Sequence, residues 1–236
     1  MRSEASASAP WEARIPRRGT LDLPDVPRWV EAHGIAGDPQ SWREGAIVGH
    51  DLARLCVVVG DASADAIAEV ARERPHHTLL FAIEREDIAA ALRAAERIVE
   101  RALLHELPEP DALPDLEGAR PLGDAPLDHV PPALATELAW AKARSTVWAA
   151  WVDGTPVCFA YAPWRSAKWF DVSVDTLPDA RQLGLATIVA AAMIRDERAH
   201  GREPVWGADE DNAASLRLAR RLGFAQVDEI FVAAGR

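Results

Sequence analysis

Six residues, Arg181-Gln182-Leu183-Gly184-Leu185-Ala186, stand between the apolar run "WFDVSVDT" and an alanine-rich stretch. That stretch places Leu185, Ile188, Val189 and Ala192 on one helical face. A helix starting near Leu185 offers backbone N–H groups without intrahelical partners, at the positive end of its dipole. Gly184 and Ala186 remove side-chain bulk where a phosphate has to reach those amides, and Arg181 adds a charge-assisted contact. One glycine is too few for the Walker A or GxGxxG loops. Taken alone, the six residues also fit an ordinary turn before a helix.

Carboxylates surround this turn. Asp171 and Ser173 alternate with Val172 and Val174, so they share a strand face. Asp175 lies at the strand end, and Asp209, Glu210 and Asp211 follow the apolar "PVWGA". Each of these acids is a candidate general base or a holder of a cation. They also read as a solvated loop, with Asp211 or Asn212 capping the next helix. Of nine tryptophans, Trp169 and Trp206 are the best placed to wall a cleft. The seven histidines show no metal-site spacing.

Two α/β segments must position these groups. In the first, "LARLCVVVGD" and "HTLLFAI" read as strands, "SADAIAEVARERP" as a helix capped by Ser63, and "EREDIAAALRAAERI" as a second helix. "ERALLHEL" reads as a third strand. Residues 108–132, rich in proline and acid, read as a joint holding one short strand. The second segment opens on the helix "ALATELAWAKAR" and a hairpin turning at Asp153-Gly154, a strong hairpin signal. The strand 168–176, the glycine turn, a helix to His200, the strand "PVWGA", the helix "AASLRLARRLG" and a last strand follow. The first segment's own strand-turn-helix, "VVVGDASADA", puts Asp61 where an anion would sit, so it reads as structural packing.

The net charge of −11 argues against nonspecific nucleic-acid binding, although one local pocket can still be basic. Only Lys142 and Lys168 are lysines, a bias that lowers the weight of any single arginine. Cys56 and Cys158 sit in apolar runs and read as buried reduced thiols of a cytoplasmic protein. The longest apolar run is too short for a membrane span, and the first residues lack a secretory h-region.

The order hairpin, strand, R-x-x-G-x-A, helix, strand, N-x-x-S-x-x-L-x-x-x-L-G-F resembles the GNAT superfamily of acyl-CoA-dependent N-acyltransferases. The resemblance rests on Arg181, Gly184 and Ala186 and on the segment Asn212 to Phe224, and it covers residues 120–236. It implies that backbone amides of Gln182, Leu183, Gly184, Leu185, Ala186 and Thr187, with Arg181, hold the pyrophosphate of acetyl-CoA as co-substrate. Val172 and Val174 pair with the pantetheine amides, and Asn212 either contacts the cofactor or caps its helix. Asp171, Ser173, Asp209 and Ser215 are the catalytic candidates. Many relatives carry a tyrosine as the thiolate's acid where this chain has Ala219, which leaves water, Ser215 or another group to protonate the sulfur.

The expected architecture is an α+β protein with a mixed sheet: a tail over 1–18, an α/β domain over 19–110, a linker over 111–132 and a GNAT-like domain over 133–236. The first domain reads either as a degenerate GNAT-like half or as a separate domain. The expected activity is acetyl transfer to a primary amine of a small molecule by direct attack, with no metal, nucleic-acid or membrane partner; a homodimer is compatible with it. A non-catalytic acyl-CoA sensor and a nucleotide-binding α/β protein are the competing readings.

Overall fold

The computed structural model describes residues 34–35, 37, 41–44, 47–59 and 62–235, so the tail expected over 1–18 lies outside the described residues. In chain order the elements are β1 (Ser41–Glu44), β2 (Ile47–His50), β3 (Leu55–Val58), α1 (Ala64–Glu73), β4 (Thr78–Ala82), α2 (Glu86–Ala94) and β5 (Val99–Glu106). Then come β6 (Ala119–Pro121), α3 (Pro132–Lys142), β7 (Trp148–Val152), β8 (Thr155–Tyr161), β9 (Trp169–Asp171) and β10 (Ser173–Thr176). The chain ends with α4 (Leu185–Ala199), β11 (Glu203–Asp209), α5 (Ala213–Arg221) and β12 (Ala225–Ala233). These elements form two compact units, one of residues up to Ala102 together with Asp228 onward, the other Leu103–Val227.

In the first unit β2 and β3 pair antiparallel, β3 and β4 parallel, and β12 antiparallel to β4. The apolar stripes of α1 and α2 supply Ile67, Val70, Ile88 and Leu92 to a core with Cys56, Leu79, Phe81 and Phe231. Helix α1 starts as its sequence directs: Ser63 Oγ accepts the amide N–H of Ala66 at 3.2 Å. The buried Arg97 guanidinium donates to the carbonyls of Pro75, His77 and Ala233, which satisfies three backbone acceptors with one cation.

In the second unit the antiparallel sheet β6-β7-β8-β10 is covered on both faces. Period-two alternation sorts its residues. Ala149, Phe159 and Tyr161 pack with Leu138 and Ala141 of α3, whereas Ala150, Cys158, Ala160 and Val172 pack with Val189, Met193 and Ile194 of α4. The β7–β8 hairpin turns at Asp153 and Gly154, both left-handed with φ of 48° and 79°. Within the proline-rich joint, β6 pairs with β7 as an edge strand. Both cysteines are buried thiols, and burial pushes that of Cys158 up to about 11.

The sequence reads residues 168–176 as one strand; the structure divides it at Val172. β9 runs parallel to β11, pairing Trp169 with Glu203 and Asp171 with Val205. β10 instead pairs antiparallel with β8, Ser173 opposite Tyr161 and Thr176 opposite Cys158. The Val172 N–H still donates to Val205 O at 3.0 Å, after which β10 and β11 part company. The buried Glu197 carboxylate of α4 braces this region, accepting from Arg165 at 3.1 Å and Arg202 at 2.6 Å. Removing either arginine alone leaves a charge short of partners, which costs more than the intact network gains.

Candidate active site

A cleft of about 760 Å³ opens where β10 and β11 diverge, a size typical of small-molecule sites. All of it lies within the second unit. Val172, Ser173 and Val174 line it from the fork, and Asn212 and Ser215 from the start of α5. Arg181, Gln182, Gly184, Leu185, Ala186 and Thr187 line it from the turn before α4. The structure thus gathers eleven residues of the sequence reading around one opening, while Asp171, Asp209 and Leu183 fall outside the lining set. Trp206 lines the cleft as well, whereas Trp169 is buried away from it with Lys168 over its ring.

The turn has the conformation its residues suggest. Gln182 and Gly184 are left-handed, with φ of 66° and 78°, and such residues point successive N–H groups to a common side. Gly184 precedes the first residue of α4, which has no side-chain cap and no acidic residue in its first turn. A Cβ on Gly184 meets nothing within 4 Å, so the space in front of the turn is open. Thr187, in that first turn, is 7% exposed, and its Oγ1 has no hydrogen-bond partner although it lines the cleft. A buried hydroxyl without a partner is unfavourable unless a ligand completes it.

Asn212 does cap α5: its Oδ1 accepts the Ser215 N–H at 3.1 Å. Ser215 Oγ in turn accepts the Trp206 indole N–H at 2.9 Å, which leaves the hydroxyl proton free to donate into the cleft. Ala219 is fully buried in the core with Trp206 and Phe224 and does not face the opening. Arg217 and Arg221, on the outer side of the same helix, join Arg181 in lining the cleft with positive charge.

Three further lining residues form an acidic counterpart. Tyr161, the only tyrosine of the chain, donates its hydroxyl to Asp175 Oδ2 at 2.8 Å, and the Glu137 carboxyl lies close enough to act on it electrostatically. Burial, then the charges of Asp175 and Glu137, push the phenol far above its ordinary range, so it stays protonated. Burial also raises Glu137, which the Tyr161 hydroxyl opposes and Asp175 reinforces. Asp171 is raised to about 7, by burial first and then by the charge of Glu137. Asp209 is raised by burial and by Asp211. The sequence reading names Asp175 without linking it to Tyr161 and misses Glu137, because nothing local marks one glutamate on a helix. Only the packing of α3 over β8 brings it to the site.

Comparison with known proteins points the same way for the C-terminal part of the chain. Residues 148–232 match the GNAT acetyltransferase family model. That stretch includes the turn before α4 and the whole of α5, and the match is to the C-terminal part of the chain alone. Solved structures of GNAT proteins share the fold of this chain. A putative GNAT-family acetyltransferase from Novosphingobium aromaticivorans superposes with a TM-score of 0.61 at 18% identity, covering 87% of this chain and 96% of that one. A GCN5-related N-acetyltransferase from Kribbella flavida gives 0.61 at 16% identity, over 89% and 94% of the two chains. The corresponding protein from Streptococcus suis, described as GCN5-related N-acetyltransferase-like, gives 0.56 at 16%, over 85% and 86%. No curated protein matches the sequence. Among the described residues there is no group of three or more potential metal ligands and no helix long and apolar enough to cross a membrane.

Proposed function

We propose that the chain transfers an acetyl group from acetyl-CoA to the primary amine of a small molecule, by direct attack in a ternary complex. One observation carries the reading. A strand that forks at Val172 opens beside an uncapped helix start whose buried Thr187 hydroxyl is unpartnered. The residues present fit the cofactor. The left-handed turn at Gln182 and Gly184 and the first amides of α4 suit a pyrophosphate, with Arg181 and Thr187 beside them. The edge of β10 left free by β11 offers backbone groups to an extended amide-bearing arm.

Acetyl-CoA supplies an acyl group activated as a thioester. The net change, an ammonium and a thioester giving an amide, a thiol and one proton, calls for a base on the amine side and a donor near sulfur. Asp171, at the end of β9 beside the fork but outside the cleft lining, serves as the base through an intervening water, and a carboxyl raised to about 7 is balanced between holding and releasing a proton at neutral pH. Ser215 donates to the sulfur, its oxygen already accepting from Trp206. The cleft aligns the partners, and holding two reactants in attack geometry supplies much of the rate.

Calorimetric titration with acetyl-CoA, with ATP and NAD as controls, tests the assignment. The expected result is binding of acetyl-CoA alone, followed by CoA release when primary amines are added. Binding without turnover across an amine screen supports an acyl-CoA sensor instead, and absence of binding by folded protein removes the reading.

A further inference from the structure

Strand β11 carries a glycine that neither its backbone nor its packing requires. Gly207 lies inside Glu203–Asp209 and is exposed, whereas Val205, Trp206 and Ala208 around it are buried. A glycine within a strand weakens it and offers nothing to pack. Six other described glycines sit at left-handed φ, and Gly207 does not. A Cβ built on it finds no neighbour closer than Leu104 Cδ2, at 4.0 Å, so an alanine fits without strain. The chain thus keeps an unfilled position where a side chain is tolerated, and that position lines the cleft.

The direction of that position says which reactant the space serves. Side chains alternate along a strand, and those of Trp206 and Ala208 pack with Val189 and Met193 of α4. The empty position at Gly207 therefore faces away from α4, whose open start suits the pyrophosphate. Backbone groups alternate as well. Val205 O accepts the Val172 N–H, so the N–H and C=O of Gly207, two residues on, point to the same edge, beyond the place where the chain leaves β11 for β8. Asp171, the base in the reading above, pairs with Val205, about 7 Å back along the strand. The space stands beside the site of proton removal and on the face turned from the cofactor. We propose that Gly207 is the specificity-determining residue of the acceptor subsite: it makes room for a substituent on the carbon that bears the nitrogen, so the protein takes primary amines branched at that carbon. The inference rests on the acetyltransferase reading above.

Butylamine and sec-butylamine test this, because the two isomers share composition and charge and differ only in branching at the amine carbon. The wild type is expected to acetylate sec-butylamine with a kcat/KM no lower than that for butylamine. In Gly207→Val the ratio of the two should fall by at least about thirtyfold, since the added methyl groups take the volume of the branch. Gly207→Ala intrudes less and gives an intermediate ratio; it carries the test if the valine variant does not fold. Acetyl-CoA affinity, measured by calorimetry, stays within about twofold in both variants, and Tm is held or raised because a strand glycine is replaced. An unchanged ratio in both variants overturns the inference, as does a wild type that prefers butylamine or acetylates neither isomer. A loss that follows the acyl donor, butyryl-CoA against acetyl-CoA, and is equal for the two amines assigns the space to the acyl chain and overturns it too. Each of these outcomes leaves the acetyl-CoA site standing. A wild type that does not bind acetyl-CoA overturns the acetyltransferase reading itself, and the inference with it.

Discussion

Both units start a helix after a strand, and they finish that start in opposite ways. Before α1, Ser63 folds back onto the Ala66 amide, and Asp65 places a negative charge in the first turn. The polar needs of that N-terminus are met from within the chain, and an anion arriving there meets a carboxylate. Before α4, Gly184 offers no side chain, the first turn holds no acid, and Thr187 adds one more unsatisfied group. Beside the open start the strands also part: the chain leaves β11 at Val172 and continues as β10 paired with β8. A helix start becomes a ligand site when the protein declines to finish it, and the fork provides the room.

The sharpest way to break this contrast is to finish the open turn. Gly184→Glu places a carboxylate in the open space before α4 and is expected to weaken acetyl-CoA binding at least about a hundredfold. A non-glycine residue at φ 78° also costs about 1–2 kcal/mol of strain, a tolerable loss for a domain of this size. Calorimetry together with a thermal melt separates the two effects; a folded variant with unchanged affinity means that the turn holds no anion.

Next in size is the group beside the fork. Asp171→Asn is expected to lower kcat about a hundredfold while leaving acetyl-CoA affinity intact, as removal of a general base does. Because the wild-type carboxyl works in its ionised form, kcat/KM rises with pH through about 7, and the variant lacks that rise. The stability sign is opposite. A raised pKa means that the fold prefers the protonated acid, so this stabilisation is present below the ordinary carboxylate range and is lost as pH rises through about 7. Melting curves between pH 5 and pH 8 should therefore flatten in the variant. A wild-type rate profile in Asp171→Asn assigns the base elsewhere, with Glu137 the nearest charged alternative.

How far the sequence reveals each half of the contrast depends on how local the chemistry is. The open turn is legible because R-x-x-G-x-A and the spacing of Leu185, Ile188 and Val189 lie within a dozen residues, and the backbone itself is the ligand-binding group. The Ser63 cap and the Asp153-Gly154 hairpin are legible for the same reason. The break at Val172 is not, because residues 169–176 have uniform strand character and only the choice of partner, β11 or β8, divides them. The Glu137, Tyr161 and Asp175 cluster is less legible still. Its members are 14 or more residues apart, and sequence offers no measure of which helix face covers which strand. The alternation that sends Tyr161 to the α3 side is visible in the chain; the arrival of α3 there is not.

Thr187→Val sharpens the contrast further, because its two effects have opposite signs. The substitution keeps the shape and removes a buried hydroxyl that has no partner, so the free protein should be as stable as wild type or more stable by up to about 1 kcal/mol. Acetyl-CoA affinity should nevertheless fall by about three- to tenfold, since the hydroxyl's partner arrives only with the ligand. Loss of stability with unchanged affinity means that the hydroxyl has a structural role and leaves the turn with amides and Arg181 alone.

The smallest expected effect lies at the closed helix start, and it is the control for all the others. Ser63→Ala removes the bond to the Ala66 amide and should cost about 1 kcal/mol of stability, a few degrees in Tm, with acetyl-CoA affinity and turnover unchanged. Combining it with Thr187→Val should give stability effects that add and an affinity equal to that of Thr187→Val alone, because one helix start spends its polar groups on folding and the other keeps them for binding. A fall in affinity on removing the Ser63 cap means that the first unit's helix start takes part in binding, and the division between a structural turn and a functional one then fails.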